Sequence, residues 1–411
     1  MDSTVSLVVA ARGLRALGDG FVSLTLPLYL LALGYSPLEV GLVSTATLLG
    51  SAALSLTIGM HATRIGYRRA LLGTALLMLA TGIAFTAVRD FWPLLVVAFV
   101  GTLNPSSGDV SAFLPLEHAV LSDVVSAKAR TRTFARYSLV GALCGALGAL
   151  LAAVPQMLAD TLHVPWRVAL QSMFVFYAAL GLASWLLYRR LPVRAGGVSE
   201  SAQREAPLHE SRRIVLTLAA LFSVDAFAGG LIVQSMLSLW LVQRFALAPA
   251  ELGVLFSATS LLAAASYLAA VPLAQRFGLV NTMVFTHIPS SVALIAIPFV
   301  SDVHVAVALL LVRSALSQMD VPTRSSYVMA VVTPVERPAA ASTTAVPRSL
   351  AAAGSPLLAG YLLGLSPFGW PLVLAGAIKI AYDLMLLALF RNVHPPEEAS
   401  PHAPHPARRA Q

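Results

Sequence analysis

Twelve stretches of this chain are apolar for about the thickness of a bilayer. They lie near 5–33, 39–60, 70–88, 92–124, 134–156, 166–188, 214–243, 249–273, 279–299, 305–332, 340–364 and 371–390. A helix crosses the hydrocarbon with ~17–25 such residues. Of 411 residues, 57% are hydrophobic and only 11% charged, where soluble domains carry about 25% charged residues. The chain reads as an all-α polytopic membrane protein. The first run is too long and too charged for a cleavable leader, since it contains Arg12, Arg15 and Asp19. The fourth is too long for one straight helix. Asn104-Pro105-Ser106-Ser107-Gly108 and Pro115 interrupt it, which predicts a kinked or partly unwound span.

Net charge is +8, but the basic residues follow a topology rule rather than a nucleic-acid footprint. Arg64, Arg68 and Arg69 follow span two. Lys128, Arg130, Arg132 and Arg136 follow span four, and six arginines lie in the middle loop. Arg276, Arg337, Arg391, Arg408 and Arg409 continue the same side, while only Arg89, Arg167 and Arg244 fall on the other. Basic loops stay in the cytoplasm, so both termini are expected there. Cys144 is the single cysteine and reads as a packing residue.

The organisation predicted is a six-helix bundle over 1–190, a linker over 191–213, a second bundle over 214–391 and a polar tail over 392–411. The linker carries Gly196-Gly197 and Pro207, and the tail carries His394, His402 and His405. The two halves echo each other. Glu39-Val40-Gly41 and Arg64-Ile65-Gly66 recur at an offset of 212 as Glu251-Leu252-Gly253 and Arg276-Phe277-Gly278. Pro115 and Arg130 recur as Pro322 and Arg337 at an offset of 207, and Asp19 as Asp225 at 206.

The charges inside the spans are informative because each is costly there, by about 2.5–3.5 kcal/mol at a bilayer centre on insertion scales. Arg12, Arg15 and Asp19 lie in span one, and Asp109 and Glu117 in span four. Asp225 lies in span seven, with Arg313, Asp320 and Arg324 in span ten. Beyond these, Arg348 lies in span eleven and Lys379 and Asp383 in span twelve. Every third span carries the polar load, as a nested three-helix repeat produces. Spans one, four, seven and ten are therefore expected to line a central aqueous cavity, with Arg12, Arg15, Asp19, Asp109, Asp225, Arg313, Asp320 and Arg324 facing it. The bland alternative for each is a structural ion pair between helices.

Two pairings and one lone carboxylate follow from spacing. Lys379 and Asp383, one helical turn apart, neutralise each other. Glu117 and Arg324 coincide under the 207 offset and form an ion pair closing a cytoplasmic gate, with Arg64 and Arg276 nearby. Asp225 has no basic residue within its own span. A carboxylate in low dielectric with no cation beside it takes up a proton readily, so Asp225, Asp109 and Asp19 are the proton-coupling candidates. Gly141, Gly145 and Gly148 in span five allow close helix approach.

These residues resemble the major facilitator superfamily over nearly the whole chain. The loop signature of that family, Gly-x-Leu-Ala-Asp-Arg-x-Gly-Arg-Arg, is similar to Gly59-Met60-His61-Ala62-Thr63-Arg64-Ile65-Gly66-Tyr67-Arg68-Arg69 and to Pro272-Leu273-Ala274-Gln275-Arg276-Phe277-Gly278. Thr63 and Gln275 replace its aspartate. The span-five glycines are similar to an antiporter signature of drug exporters, with Ala146 in place of its proline. The resemblance implies twelve helices in two pseudo-symmetric bundles and alternating access. It also implies a small-molecule substrate moved with protons, a monomer in the cytoplasmic membrane, no bound cofactor and no nucleic-acid partner. Efflux by solute:proton antiport is the expectation. Proton-coupled uptake of a small anionic metabolite is the alternative, and a membrane sensor or enzyme a third. No nucleophile motif, metal-ligand cluster or phosphate loop was found on any span, which weighs against an enzyme.

Overall fold

The computed structural model describes residues 3–106, 111–192, 211–333 and 336–390. Most of the expected linker and the tail over 392–411 lie outside the described residues. The first half contains α1 (Ser3–Ala32), α2 (Pro37–Ile65), α3 (Tyr67–Ala87), α4 (Phe91–Val100), α5 (Phe113–Val124), α6 (Ala127–Leu150), α7 (Val154–Leu162) and α8 (Trp166–Arg189). The second contains α9 (Arg212–Leu231), α10 (Gln234–Phe245), α11 (Pro249–Phe277), α12 (Leu279–Ala296), α13 (Val303–Ser317), α14 (Asp320–Val331), α15 (Arg337–Leu365) and α16 (Trp370–Phe390). The described chain is helical, as lipid requires, since every backbone group must find its partner within the segment.

Sixteen helices make twelve spans because α4 and α5 share one span, as do α9 with α10 and α13 with α14, while α7 is a short helix between spans five and six. The break in span four was legible from its prolines. The breaks at Ile232-Val233 and Gln318-Met319 were not. Among the described residues, nine helical stretches are long and apolar enough on their own to cross a bilayer. The split spans four and ten, and the Ser/Thr-rich α15, complete the set.

Burial separates the spans by role. α1 is buried on nearly all sides, including Arg12, Arg15 and Asp19. Trp92, Val96, Phe285 and Leu389 stay exposed on outer helices. On a soluble protein, exposed apolar area of this extent would be a liability. Here it is the face that lipid covers.

The duplication seen in sequence is physical. Glu39 accepts from Ser36 N and Glu251 accepts from Ala248 N, each at 2.7 Å, at the starts of α2 and α11. In both, a glutamate reaches back to the backbone amide three residues earlier, at the start of the helix. Gly66 and Gly278 end the same two helices at φ 88° and 85°, a region that side chains disfavour. The next signature arginine, Arg68, donates to the Arg189 carbonyl at 2.8 Å and ties this loop to the end of α8.

The two bundles meet at the end away from the termini. An added Cβ at Gly41 would lie 2.5 Å from Pro356 O, and one at Gly253 would lie 2.6 Å from Ala149 O. Equivalent glycines thus seat α2 on α15 and α11 on α6. Ser44 Oγ lies 3.4 Å from Ser235 Oγ. Ser235 N donates to Pro105 O at 3.0 Å, so the irregular segments of spans four and seven join directly across the halves.

Candidate functional site

Between the bundles lies a cavity of about 800 Å³. Its walls come from the central stretches of α6 and α11, together with α1, α9, α10, α12, α13 and α16. Leu139 and Leu268, both exposed, are among its lining residues. The far end is closed by the glycine contacts above. Unwound backbone lines it too, at Ser106, Ile232-Val233 and Gln318. Irregular backbone at membrane depth is tolerated where it borders such a space.

Five ionisable groups face the cavity: Arg12 and Asp19 from α1, His287 from α12, Arg313 from α13 and Lys379 from α16. Arg12 also lies over the Tyr137 ring at 5.4 Å. Gly141 makes room for it, since an added Cβ there would sit 2.6 Å from Arg12 Nε. Arg313 has no carboxylate partner among the described residues; only its carbonyl is bonded, by Ser290. Ser291 is buried, lines the cavity and has no hydrogen-bond partner on its hydroxyl. Among the described residues, no group of three or more His, Cys, Asp and Glu converges as a metal site.

Behind the wall of the second half is a buried ion cluster. Lys379 Nζ donates to Asp225 Oδ1 at 2.6 Å, and Arg324 Nη1 to Asp225 Oδ2 at 3.2 Å. Arg324 also pairs with Asp320 one turn earlier on α14. His287 Nδ1 lies 3.0 and 3.1 Å from the two oxygens of Asp383, and its Nε2 lies 3.5 Å from Lys379 Nζ. The cluster draws on α9, α12, α14 and α16, so it fixes four helices relative to one another.

The first half has its own cluster, built differently. Glu117 pairs with Arg15 and accepts from Tyr137 at 2.5 Å and Tyr188 at 2.6 Å. Arg15 Nη1 reaches Ser111 Oγ at 3.3 Å, and the guanidinium stacks 4.2 Å from the Phe113 ring. Every charged oxygen is met, so the carboxylate is held within α1, α5, α6 and α8 and away from the cavity.

Several sequence expectations change here. Asp225 has two strong cations beside it, delivered by α14 and α16, and is not the isolated carboxylate that its own span implies. Lys379 and Asp383 do not pair with each other, because successive turns aim them at Asp225 and His287. Glu117 and Arg324 do not meet; each is committed within its own half. Of the residues expected at the cavity, Arg12, Asp19 and Arg313 line it. Asp225, Asp320 and Arg324 lie one layer behind, reached through Lys379, and Arg15 lies in the first-half cluster. Arg276 is exposed at the end of α11. Asp109 and the side chain of Arg64 lie outside the described residues. The sequence reading missed His287, although a histidine inside the apolar run over 279–299 was the signal available. It also missed Lys379 as a wall residue.

Two bundles of six spans around a charge-lined cavity, sealed at one end, define a membrane transporter. The chain belongs to the Major Facilitator Superfamily, whose profile matches residues 8–245 and again 216–410. It is 24% identical over 95% of its length, and 94% of the relative's, to the uncharacterized membrane protein YJR124C of Saccharomyces cerevisiae. The fold is similar to the crystal structure of the nucleoside transporter NupG, with a TM-score of 0.71, 13% identity and coverage of 95% and 100% of the two chains. It is also similar to a bacterial homologue of the human lysosomal transporter Spinster in an inward-facing state, with a TM-score of 0.69, 14% identity and coverage of 94% of each chain.

Proposed function

We propose that this transporter carries a small organic anion by alternating access and binds and releases a proton in the same cycle. The observation that carries the reading is the charge of the cavity wall. Arg12, Arg313 and Lys379 face it, and Asp19 is the only acid among the described lining residues. A fixed guanidinium without a counterion in low dielectric favours an anion, and Arg313 is placed for that role. An anion moving with a proton adds less charge to the crossing than the anion alone, so symport agrees with this wall. The efflux antiport expected from sequence would suit a wall that binds cations or neutral solutes.

The basic loops put both termini in the cytoplasm. On that topology the cavity opens inward and the glycine seam seals the outer side. The buried Asp225–Lys379–His287 cluster stands next to the cavity, where a proton and an anion can influence each other.

Reconstitution in liposomes under an imposed pH gradient tests the reading. The panel is radiolabelled mono- and dicarboxylates and organic phosphates, with nucleosides and cationic dyes beside them. Uptake of a carboxylate or phosphate driven by an acidic exterior, and its loss in Arg313→Gln, is the expected result. Movement of cations or nucleosides alone would overturn it.

A further inference from the structure

We propose that His287 is the group that binds the transported proton, and that its protonation moves Lys379 from Asp225 toward the cavity. This rests on the reading of the chain as a proton-coupled carrier and names the site within it.

The hydrogen-bonded cluster holds three carboxylates, Asp225, Asp320 and Asp383, with Lys379 and Arg324. Asp383 meets the ring of His287 rather than either cation. A further proton therefore has a place in the set. Asp225 and Asp320 are already held by cations, so the place left for it is the His287–Asp383 pair. Of these two, His287 is the one that lines the cavity.

Geometry supplies the consequence. In the neutral ring, Nδ1–H donates to Asp383, and the Nε2 lone pair faces the Lys379 ammonium 3.5 Å away. Nε2 also lies 4.0 Å from Asp225 Oδ1, the oxygen that Lys379 holds at 2.6 Å. A proton added to Nε2 turns an acceptor into a cation. Imidazolium and ammonium then compete for one carboxylate oxygen. Lys379 sits on a flexible four-carbon stem and already borders the cavity, so it is the group that yields. A proton on His287 thereby presents an ammonium to the anion, and loss of the proton withdraws it.

The other ionisable groups facing His287 come from each helix packed on α12. α16 brings Lys379, Asp383 and Tyr382, whose ring lies 6.3 Å away edge-on. α14 brings Asp320 and Arg324, and α13 brings Arg313. α11 carries Glu251 and Arg276 only near its ends. α15 brings Arg348, which is outside the hydrogen-bonded set but within electrostatic reach of Asp225, Asp320 and Arg324.

The chain has two lysines, Lys128 and Lys379, so side-chain ¹⁵N resonances resolve the event directly. Full-length protein with labelled histidine and lysine is titrated in nanodiscs from about pH 5 to 9, the range where imidazole exchanges protons. His287→Gln identifies the ring signal, and Lys379→Met the amine signal. Gel filtration confirms folding. The expected result is one transition in which the His287 ring and the Lys379 ammonium change together, and a Lys379 signal that no longer follows pH in His287→Gln. A His287 ring fixed in one protonation state, or a Lys379 signal unaffected by His287→Gln, would overturn the proposal. If vesicles show no anion uptake while the coupled titration persists, the substrate reading fails and the proton site stands.

Discussion

Glu117 and Arg324 stand at equivalent positions of the two halves, and each neutralises a charge within its own half. In the first half the acid belongs to span four and its partner, Arg15, to span one. In the second half the polarity inverts: the base belongs to span ten and its partner, Asp225, to span seven. The repeat preserved the contact between two spans and exchanged the signs.

The first pair is a structural tie. Glu117→Gln leaves Arg15 buried without its counterion, and removing one member of such a pair costs about 3–5 kcal/mol. Thermal melting in detergent should show a clear drop for the single variant. Adding Arg15→Met should recover part of it, because two apolar groups replace an unbalanced charge. An unchanged midpoint in Glu117→Gln would show that the pair contributes nothing.

Ser44 and Ser235 face each other across the bundles with 3.4 Å between their oxygens. Ser44→Cys with Ser235→Cys, in a Cys144→Ala background, should oxidise to a disulfide that holds the far end shut. Transport should stop on oxidation and return on reduction, while a cysteine at Leu139 stays reactive toward maleimide from the open end. Full transport by the cross-linked protein would mean that this end need not part.

Gly66 and Gly278 share a positive φ, 88° and 85°. A side chain there costs on the order of 1–3 kcal/mol. Gly66→Ala and Gly278→Ala should therefore lower the unfolding midpoint by similar amounts, with Gly73→Ala, where an added Cβ meets nothing within 4 Å, as the control. A large asymmetry between the two would contradict equivalent turns.

Gly141 gives Arg12 its place at the cavity wall. Gly141→Val should push the guanidinium away and raise the KM for the transported anion by about tenfold, the effect of roughly 1.4 kcal/mol of lost binding. Tracer uptake at varied concentration measures it. An unaltered KM with normal folding would remove Arg12 from the binding wall.

The fold was legible because it rests on local signals. Apolar runs give helices, and Glu39 and Gly66 recur as Glu251 and Gly278 with the same backbone roles. The site was legible only where one span decides the outcome, as for Arg12, Asp19 and Arg313. Pairing inside the bundles is set by which helices become neighbours. Spacing along one helix could not reveal that Lys379 reaches Asp225, 154 positions away, or that Asp383 turns to His287. His287 itself is formally neutral at pH 7 and so escapes a count of charges inside the spans.

Gly41 and Gly360 meet backbone to backbone, with 3.0 Å from an added Gly41 Cβ to the Gly360 Cα. At that point main chain rests on main chain, with no side chain between the two glycines. Such a contact asks for little repacking wherever two surfaces are drawn apart and reseated.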